Sequence, residues 1–338
     1  MNAPATVVQV SEGSGVADAR RAVAQCAESL GLGETAIAKA ALIATELATN
    51  LIKHASGGTI VVTADRMRLH PLTIIAIDKG PGMTNVSAAM RDGYSTAGSS
   101  GTGLGAATRA AAFSDIYSLP GKGTAILCRV EDDRPSRVTP SLDAPNALNV
   151  DGFAVPKSGE HDSGDSWIAV STRDEVTVLV ADGLGHGGAA AVASNEAVRV
   201  MQQQRARPLP EILELMHGAL RPTRGAAVGV ARIFLSHRRL DFAGVGNISG
   251  TIVDDASVRK VVSLNGIVGH EMRKVQTFSY PWSATSLLIM HSDGIGTSWH
   301  FENYPGLRQH DSALVSAVLY RDHTRGTDDA TVVVAKAS

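Results

Sequence analysis

Three short motifs in a fixed order constrain this chain more than any other feature. They are Glu46-Leu47-Ala48-Thr49-Asn50, Asp78-Lys79-Gly80-Pro81-Gly82 and Gly101-Thr102-Gly103-Leu104-Gly105. From Glu34 to His54, Ile37, Ala40, Ala41, Ala44, Leu47, Ala48 and Leu51 recur at helical spacing. Glu46 and Asn50, four residues apart, therefore lie one above the other on one helix face. The apolar run Leu72 to Ile77 predicts a strand that ends at Asp78. A carboxylate there can accept the exocyclic amine of adenine, and Gly80 and Gly82 let the base come close to backbone. The glycines at 101, 103 and 105, with Thr102 and Leu104, precede a helical stretch, Ala106 to Phe113. A glycine loop that opens a helix offers free N–H groups and a favourable dipole to phosphates.

Together these motifs read as an ATP site. Asn50 would ligate Mg²⁺ through its amide oxygen. Glu46 would polarise a water or hydroxyl for attack on the γ-phosphate. Each piece alone has a bland reading, a solvated helix face for Glu46 and Asn50 or a loop for the glycines. Their order is what is specific. No Gly-Lys-Ser/Thr follows the glycines, so this is not a Walker loop, and the glycines do not follow the first strand as a Rossmann fingerprint requires. Around the motifs, residues 5–10, 59–64, 116–118 and 124–130 read as strands, the last two as a hairpin about Pro120-Gly121-Lys122-Gly123. Residues 16–30 read as a helix.

The three motifs resemble the N box and the two glycine boxes of the GHKL ATPase superfamily, which includes gyrase, MutL, histidine kinases and anti-sigma serine kinases. Asp92-Gly93-Tyr94-Ser95-Thr96 and the short lid look most like the RsbT-like switch kinases and anti-sigma kinases. The resemblance covers about residues 10–130. It implies a layered α/β (Bergerat) sandwich with ATP between sheet and lid. No phosphoaccepting histidine helix precedes the motifs, which favours a serine or threonine on a partner protein as acceptor.

Residues 131–150 contain three prolines, several charges and no periodicity, and read as a linker. The alternative is an excursion packed on either side. Beyond them a second constellation appears. Asp165 begins a strand-like run, the apolar run Val176 to Ala181 ends in Asp182-Gly183, Leu287 to His291 ends in Ser292-Asp293-Gly294, and Asp328-Asp329 opens a final strand, 330–335. Residues 189–204, 209–220 and 312–320 read as helices, and 226–236, 240–245 and 249–253 as strands. Carboxylates held at strand edges suit hard divalent cations. Two such ions can bind a phosphate and activate water without a protein nucleophile. Asp182 is the natural bridging ligand, Gly183 lends its carbonyl, and Asp165, Asp293 and Asp328 complete the set. The bland reading of Asp-Gly is a turn dipeptide. His186 could assist a phosphate or simply belong to the turn, and His291 reads as core. No cysteine or histidine cluster points to zinc.

Gly164-Asp165-Ser166-Trp167, Ala181-Asp182-Gly183-Leu184-Gly185-His186-Gly187, Gly244-Val245-Gly246-Asn247, Ser292-Asp293-Gly294-Ile295 and Asp328-Asp329-Ala330-Thr331-Val332 resemble the SpoIIE and RsbX-like branch of the PPM family of metal-dependent serine/threonine phosphatases. That resemblance covers about 151–338. It implies two stacked β-sheets flanked by helices, an α-β-β-α sandwich, and favours Asp328 over Asp329 as a ligand. Residues 296–306 match nothing clearly and leave substrate choice open.

With 338 residues, two domains are expected: 1–130 a GHKL ATP-binding kinase-like domain and 151–338 a PPM-type phosphatase domain. Only 4% of residues are aromatic, so Ala, Val, Leu and Ile must build the cores. A net charge of -2 argues against a nucleic-acid surface, and with no transducer domain it disfavours an ATPase of the gyrase or MutL kind. No signal peptide or run of roughly 20 apolar residues is evident, so no membrane partner is expected. Cys26 and Cys128 lie in apolar stretches, and a reduced cytoplasmic setting is simpler than a disulfide. The resemblances imply a bifunctional regulator that uses ATP with Mg²⁺ in one half and two Mn²⁺ or Mg²⁺ in the other. Its substrates would be STAS-domain proteins, with a stressosome-like or anti-sigma partner. The alternative is an ATP-controlled docking module, without kinase activity, attached to an active phosphatase.

Overall fold

The computed structural model describes residues 4–65, 70–89, 103–132, 134, 148–255 and 257–337. The chain divides into two compact units, one of Ala5–Pro140 with Gln309–Arg321, the other of Met1–Pro4, Ser141–Arg308 and Asp322–Ser338. The expected assignment of all of 151–338 to one domain therefore differs from the structure by one segment, 309–321.

The first unit is an antiparallel five-stranded sheet. Its strands are β1 (Thr6–Val10), β2 (Gly58–Ala64), β3 (Leu72–Ile77), β4 (Phe113–Leu119) and β5 (Gly123–Val130), in the order β1-β2-β3-β5-β4. β3, apolar except for Thr73, takes the centre, where every residue is buried. Helices α1 (Gly13–Leu30) and α2 (Glu34–Ala55) pack on the sheet, with α3 (Val86–Ala89) and α4 (Gly103–Ala110) following. Alanines at 19, 27, 36, 40, 44 and 48 fill the seam between helices and sheet. Their small size brings backbones close, which is how a chain poor in aromatics reaches native packing density. α2 stops at Ser56 and Gly57, both at positive φ, so the chain reverses directly into β2.

By length and composition α2 is long and apolar enough to cross a membrane, contrary to the sequence reading. Its apolar face (Ala36, Ala40, Ile43, Ala44, Leu47, Ala48, Leu51) is spent on this core. α4 begins at Gly103, three residues earlier than expected, so Gly103 and Gly105 are helical.

The segment 309–321 is held to this unit by polar contacts. Arg129 donates from both terminal nitrogens to Asp311 at 2.8–2.9 Å, with Asp311 almost fully buried. His310 Nδ1 meets Asp115 at 2.8 Å, and Arg321 Nη1 donates to the Asp78 carbonyl at 3.1 Å.

The second unit contains two five-stranded antiparallel sheets. Its strands are β6 (Leu148–Val155), β7 (Asp165–Ser171), β8 (Glu175–Gly183), β9 (Ala226–Phe234), β10 (Arg239–Val245), β11 (Ser249–Val253), β12 (Val258–Lys260), β13 (Phe278–Pro281), β14 (Leu287–His291) and β15 (Ala330–Ala337). One sheet runs β13-β10-β9-β8-β7 and the other β12-β11-β14-β15-β6. A core containing Trp167, Val180, Phe242, Ile252, Leu288, Met290 and Val333 draws on both sheets. Helices α5 (Gly188–Gln204) and α6 (Leu209–Leu220) cover the first sheet through a second core around Met201, Leu213 and Met216. Helix α7 (Ser312–His323), of which the residues to Arg321 belong to the first unit, is buried at every residue from Ser312 to Leu319. The expected linker 131–150 is shortened at its C-terminal end, because Leu148 already pairs with Ala337.

Candidate functional sites

In the first unit, the end of α2, the β3–α3 connection and the start of α4 enclose a cavity of about 260 Å³. Asn50, Asp78, Gly82, Gly103 and Leu104 line it, together with His54, Met83, Asn85 and Thr124. Asp78 follows the last residue of β3. Its Oδ1 accepts the Gly80 N–H at 2.8 Å and the Thr124 N–H at 3.2 Å, which fixes the side chain. Burial pushes its carboxyl up, against those two hydrogen bonds. Gly82 sits at φ 68°, and a Cβ there would overlap the Leu119 carbonyl, so only glycine fits. Gly103 lies against Glu46: a Cβ on it would be 2.6 Å from Glu46 Oε2 and 3.6 Å from Asn50 Oδ1.

Glu46, Asn50, Asp78, Gly82, Gly103 and Leu104 are thus gathered at one cavity or its edge. Gly80 and Gly105 do not line it. Gly80 instead packs against Ala55, where a Cβ would be 2.7 Å from the alanine methyl, and Gly105 is buried in α4. Gly101, Thr102 and residues 92–96 lie outside the described residues. Sequence reasoning missed Thr124, the first residue after the glycine that opens β5. Its signal was its pairing with Asp78, which only the β3–β5 register reveals.

In the second unit, the strand ends bring the acids to one edge. Asp165 opens β7 and stands opposite Asp182 in the β7–β8 ladder. Asp293 follows the end of β14, and Asp328 precedes β15, its antiparallel neighbour. The two sheets are tied together there by Asp329, which accepts the N–H of Lys157 at 2.8 Å and of Gly164 at 2.9 Å. Asp329 is committed to backbone, whereas Asp328 is exposed. Ser292 Oγ donates to Asp165 Oδ2 at 2.6 Å and accepts the Thr331 N–H at 2.9 Å. Asn247 Nδ2 donates to Asp293 Oδ2 at 2.8 Å. Gly183 and Gly294 are required by close approach, since a Cβ would overlap the carbonyl of Ala190 or of Asp329. Their glycines therefore serve strand packing as well as the turn that Asp-Gly predicts.

Burial, then the charges of Asp165, Asp293, Asp328 and Asp329, push the Asp182 carboxyl up. Burial likewise raises Asp165, with Asp329 and Asp293 adding to it. Among the described residues no three Asp, Glu, His or Cys side chains already close around one point as an ion cage. The donor set nonetheless fits a hard divalent cation: four acids at one edge, with a mutual repulsion that positive charge relieves. His186 is paired with Glu160 at 2.8 Å. His291 is buried, and its ring nitrogen meets the Ser292 carbonyl at 2.8 Å. Sequence reasoning gave Ser292 and Asn247 no role, because their partners are set by strand register.

Residues 172–338 match the family described as stage II sporulation protein E (SpoIIE), and residues 11–128 match the histidine kinase-like ATPase domain. Over 110 residues the chain is 36% identical to the serine/threonine-protein kinase RsbT of Bacillus subtilis (strain 168), covering 32% of this chain and 82% of RsbT. A solved structure from the bacterial stressosome, a modular system adapted to control secondary messenger signaling, is 26% identical. It superposes with a TM-score of 0.52 over 56% of this chain and 99% of its own. RsbX in complex with magnesium is 21% identical, with a TM-score of 0.49, over 57% of this chain and 97% of its own.

Proposed function

The chain belongs to the RsbT family of serine/threonine kinases through its first half and joins that domain to a SpoIIE-type phosphatase domain, and from that premise we propose that it is a bifunctional partner-switching regulator. It phosphorylates a serine or threonine of a STAS-domain protein with ATP and removes such a phosphate in its second half, within the cytoplasm and alongside a stressosome-like or anti-sigma partner. The observation that carries the reading is the common edge of Asp165, Asp182, Asp293 and Asp328.

At that edge Asp182, Asp165, Asp293, Asp328 and the Gly183 carbonyl would hold two Mn²⁺ or Mg²⁺ ions. Bound there, such ions neutralise phosphoryl oxygens and acidify water. Ser292 and Asn247 orient Asp165 and Asp293 by hydrogen bonds, and Asp329 locks the Gly164-Asp165 strand start in place. In the first half Asp78 and Gly82 receive the adenine of ATP. Asn50 would take its Mg²⁺, and the helix start at Gly103 would offer N–H groups to the phosphates. Gly80 and Gly105 shape the backbone, and Leu104 lines the cavity. Glu46 would accept the proton of the acceptor hydroxyl as that oxygen bonds to the γ-phosphorus and the bond from the γ-phosphorus to the bridging oxygen breaks, with ADP leaving.

The test uses the full chain carrying Asp293→Ala, so that dephosphorylation does not erase the product. It is mixed with γ-labelled ATP, Mg²⁺ and STAS-domain proteins of the same genome. Label on one of them, lost on adding Glu46→Ala, supports the kinase. ATP binding without label assigns the first half to nucleotide-controlled docking. Release of phosphate from the labelled protein by the unaltered chain, abolished by EDTA and by Asp182→Asn, tests the second half.

A further inference from the structure

Helix α7 is shared by the two units. The division falls inside its last turn, with residues to Arg321 in the first unit and those from Asp322 in the second. In the first unit the helix is fastened to the sheet at both ends. Asp311, just ahead of the first turn, accepts the Ala313 N–H at 2.9 Å and both terminal nitrogens of Arg129 on β5 at 2.8–2.9 Å. At the other end the buried Arg321 donates from Nη1 to the Asp78 carbonyl at 3.1 Å. Arg129 stands opposite Thr73 in the β3–β5 ladder, so the two fastenings lie near opposite ends of β3. The lengths agree, since the helix from 311 to 321 spans about 15 Å and the strand from 73 to 78 about 17 Å. α7 therefore runs alongside the strand that ends at the acid of the nucleotide cavity.

In the second unit the end of the same helix is fastened to the residues that follow Asp293. The His323 carbonyl accepts the Gly296 N–H at 2.9 Å, and the Arg325 N–H donates to the Gly294 carbonyl at 2.9 Å. Ile295 and Thr324 form an antiparallel bridge between these two bonds. The Tyr304 hydroxyl donates to Asp322 Oδ2 at 3.0 Å and lies 2.8 Å from His323 Nε2, which fixes the last turn. Less than one helical turn thus separates Arg321, bonded to Asp78, from His323, bonded to the turn that carries Asp293. Over so short a length a helix moves as one piece, because its backbone hydrogen bonds and close packing leave it little freedom to bend.

We infer that α7 couples the nucleotide cavity to the acidic edge, so that a nucleotide held at Asp78 steadies the Asp293-Gly294 turn and raises phosphatase activity. The inference rests on the nucleotide reading of the first cavity and on the phosphatase reading of the acids. A ligand shifts an equilibrium only through contacts that differ between two states. The nucleotide has such a contact in Asp78, whose side chain receives the base while its carbonyl holds Arg321. Ordering of residue 78 restrains Arg321, and through the end of α7 it restrains Gly294 to Gly296. Asp293 is then held in place for the metal ions. The coupling between two bound ligands is reciprocal, so metal at the acids also favours nucleotide at Asp78.

The experiment compares the full chain with Arg321→Met, each with and without ADP, in Mg²⁺ held in excess throughout. Calorimetry reports whether ADP binds. Amide hydrogen exchange at Gly296 and Arg325 reports the turn, and p-nitrophenyl phosphate hydrolysis reports the phosphatase. Arg321→Met keeps an unbranched chain in the buried space and removes the donor to Asp78, and any direct effect of ADP on the acids persists in it. In the unaltered chain ADP should slow exchange at both amides and raise kcat/KM, each by about fivefold or more. In Arg321→Met ADP should still bind and both responses should vanish. Bound ADP that leaves exchange in the unaltered chain unchanged or faster overturns the inference, a result that needs no variant to fold. Slower exchange without faster hydrolysis overturns it too, as does a full response in Arg321→Met. If no ADP binds, the nucleotide reading fails and the inference with it. If p-nitrophenyl phosphate is not hydrolysed under any condition, the phosphatase reading fails instead.

Discussion

Asp329 offers the sharpest test of how the second unit is built. Its side chain is buried, and its two oxygens accept one backbone N–H each, from Lys157 and Gly164. Asp329→Ala leaves the Gly164 N–H buried and unsatisfied and the part-buried Lys157 N–H without this acceptor. Hydrogen bonds to a charged group contribute about 1.5–3 kcal/mol each, so the loss is about 3–6 kcal/mol. Some of it is returned, because Asp328 and Asp182 no longer face this charge, and about 3 kcal/mol is the net expectation. For a unit of this size that is a fall of roughly 6–12 °C in Tm. Asp329→Asn keeps one acceptor oxygen and should lose about half as much. The assay is tryptophan fluorescence during thermal unfolding, since Trp167, Trp282 and Trp299 all lie in the second unit. A shift under about 2 °C for Asp329→Ala, below 1 kcal/mol by the same conversion, would refute the assignment of Asp329 to backbone support.

Two further predictions concern the first unit. Gly103→Ala places a methyl 2.6 Å from Glu46 Oε2, so the carboxylate end of that flexible side chain must swing aside at little cost in stability, and displacing a general base should slow phosphoryl transfer by about tenfold or more. Labelled-ATP transfer onto a STAS protein reads it, and an unaffected rate sinks the placement of Gly103 beside Glu46. ATP affinity should decline in mild acid, because burial raises the Asp78 carboxyl and its ionised form is the one that accepts the adenine amine. The sign follows: affinity is full while Asp78 is ionised and is lost as pH falls through a value above the ordinary carboxylate of about 4. Titration by calorimetry across that range checks it. Asp78→Asn should bind more weakly and without the decline.

Much of this was legible because local pattern and tertiary role agree. The helical spacing from Ile37 to Leu51 specifies one element with one buried face, and the run of β3, apolar except for Thr73, specifies a strand buried on both faces. The acids were legible as well, since each stands at the end of an apolar run. What escaped were features defined by a distant partner. β6 reads as Asn-Val-Asp-Gly-Phe, with Asp151 buried in it, and becomes a strand only by pairing with β15. Ser292 and Asn247 look like ordinary turn residues until strand register sets them against Asp165 and Asp293. Gly103 and Gly105 argue against a helix by propensity, yet packing of α4 on α2 overrides it.

The segment 309–321 shows the same limit at the scale of a domain boundary. The sequence places it with the second half, and a division near 130–150 would treat residues 1–140 as self-sufficient. The polar contacts argue otherwise. Arg129 is largely buried, and its partner Asp311 lies 182 positions along the chain. Burial pushes the Asp115 carboxyl up, but hydrogen bonds from His310 and from the Asp311 and Ile116 N–H groups outweigh it and hold the carboxyl below its usual range. Tyr117 meets the His310 ring edge-on at 5.2 Å. Residues 1–140 expressed alone would leave Arg129 without this carboxylate, a change that costs about 3–5 kcal/mol when the group stays buried. Against a domain stability of about 5–15 kcal/mol this is a large fraction. The fragment should therefore exchange its Leu72–Ile77 amides far faster than the full chain does, and Asp311→Ala in the full chain should reproduce part of that acceleration. Equal exchange in fragment and full chain would mean that the first unit folds without 309–321. Faster exchange would mean that the nucleotide cavity, whose Asp78 carbonyl accepts from Arg321, is completed by sequence lying beyond the phosphatase strands that precede it.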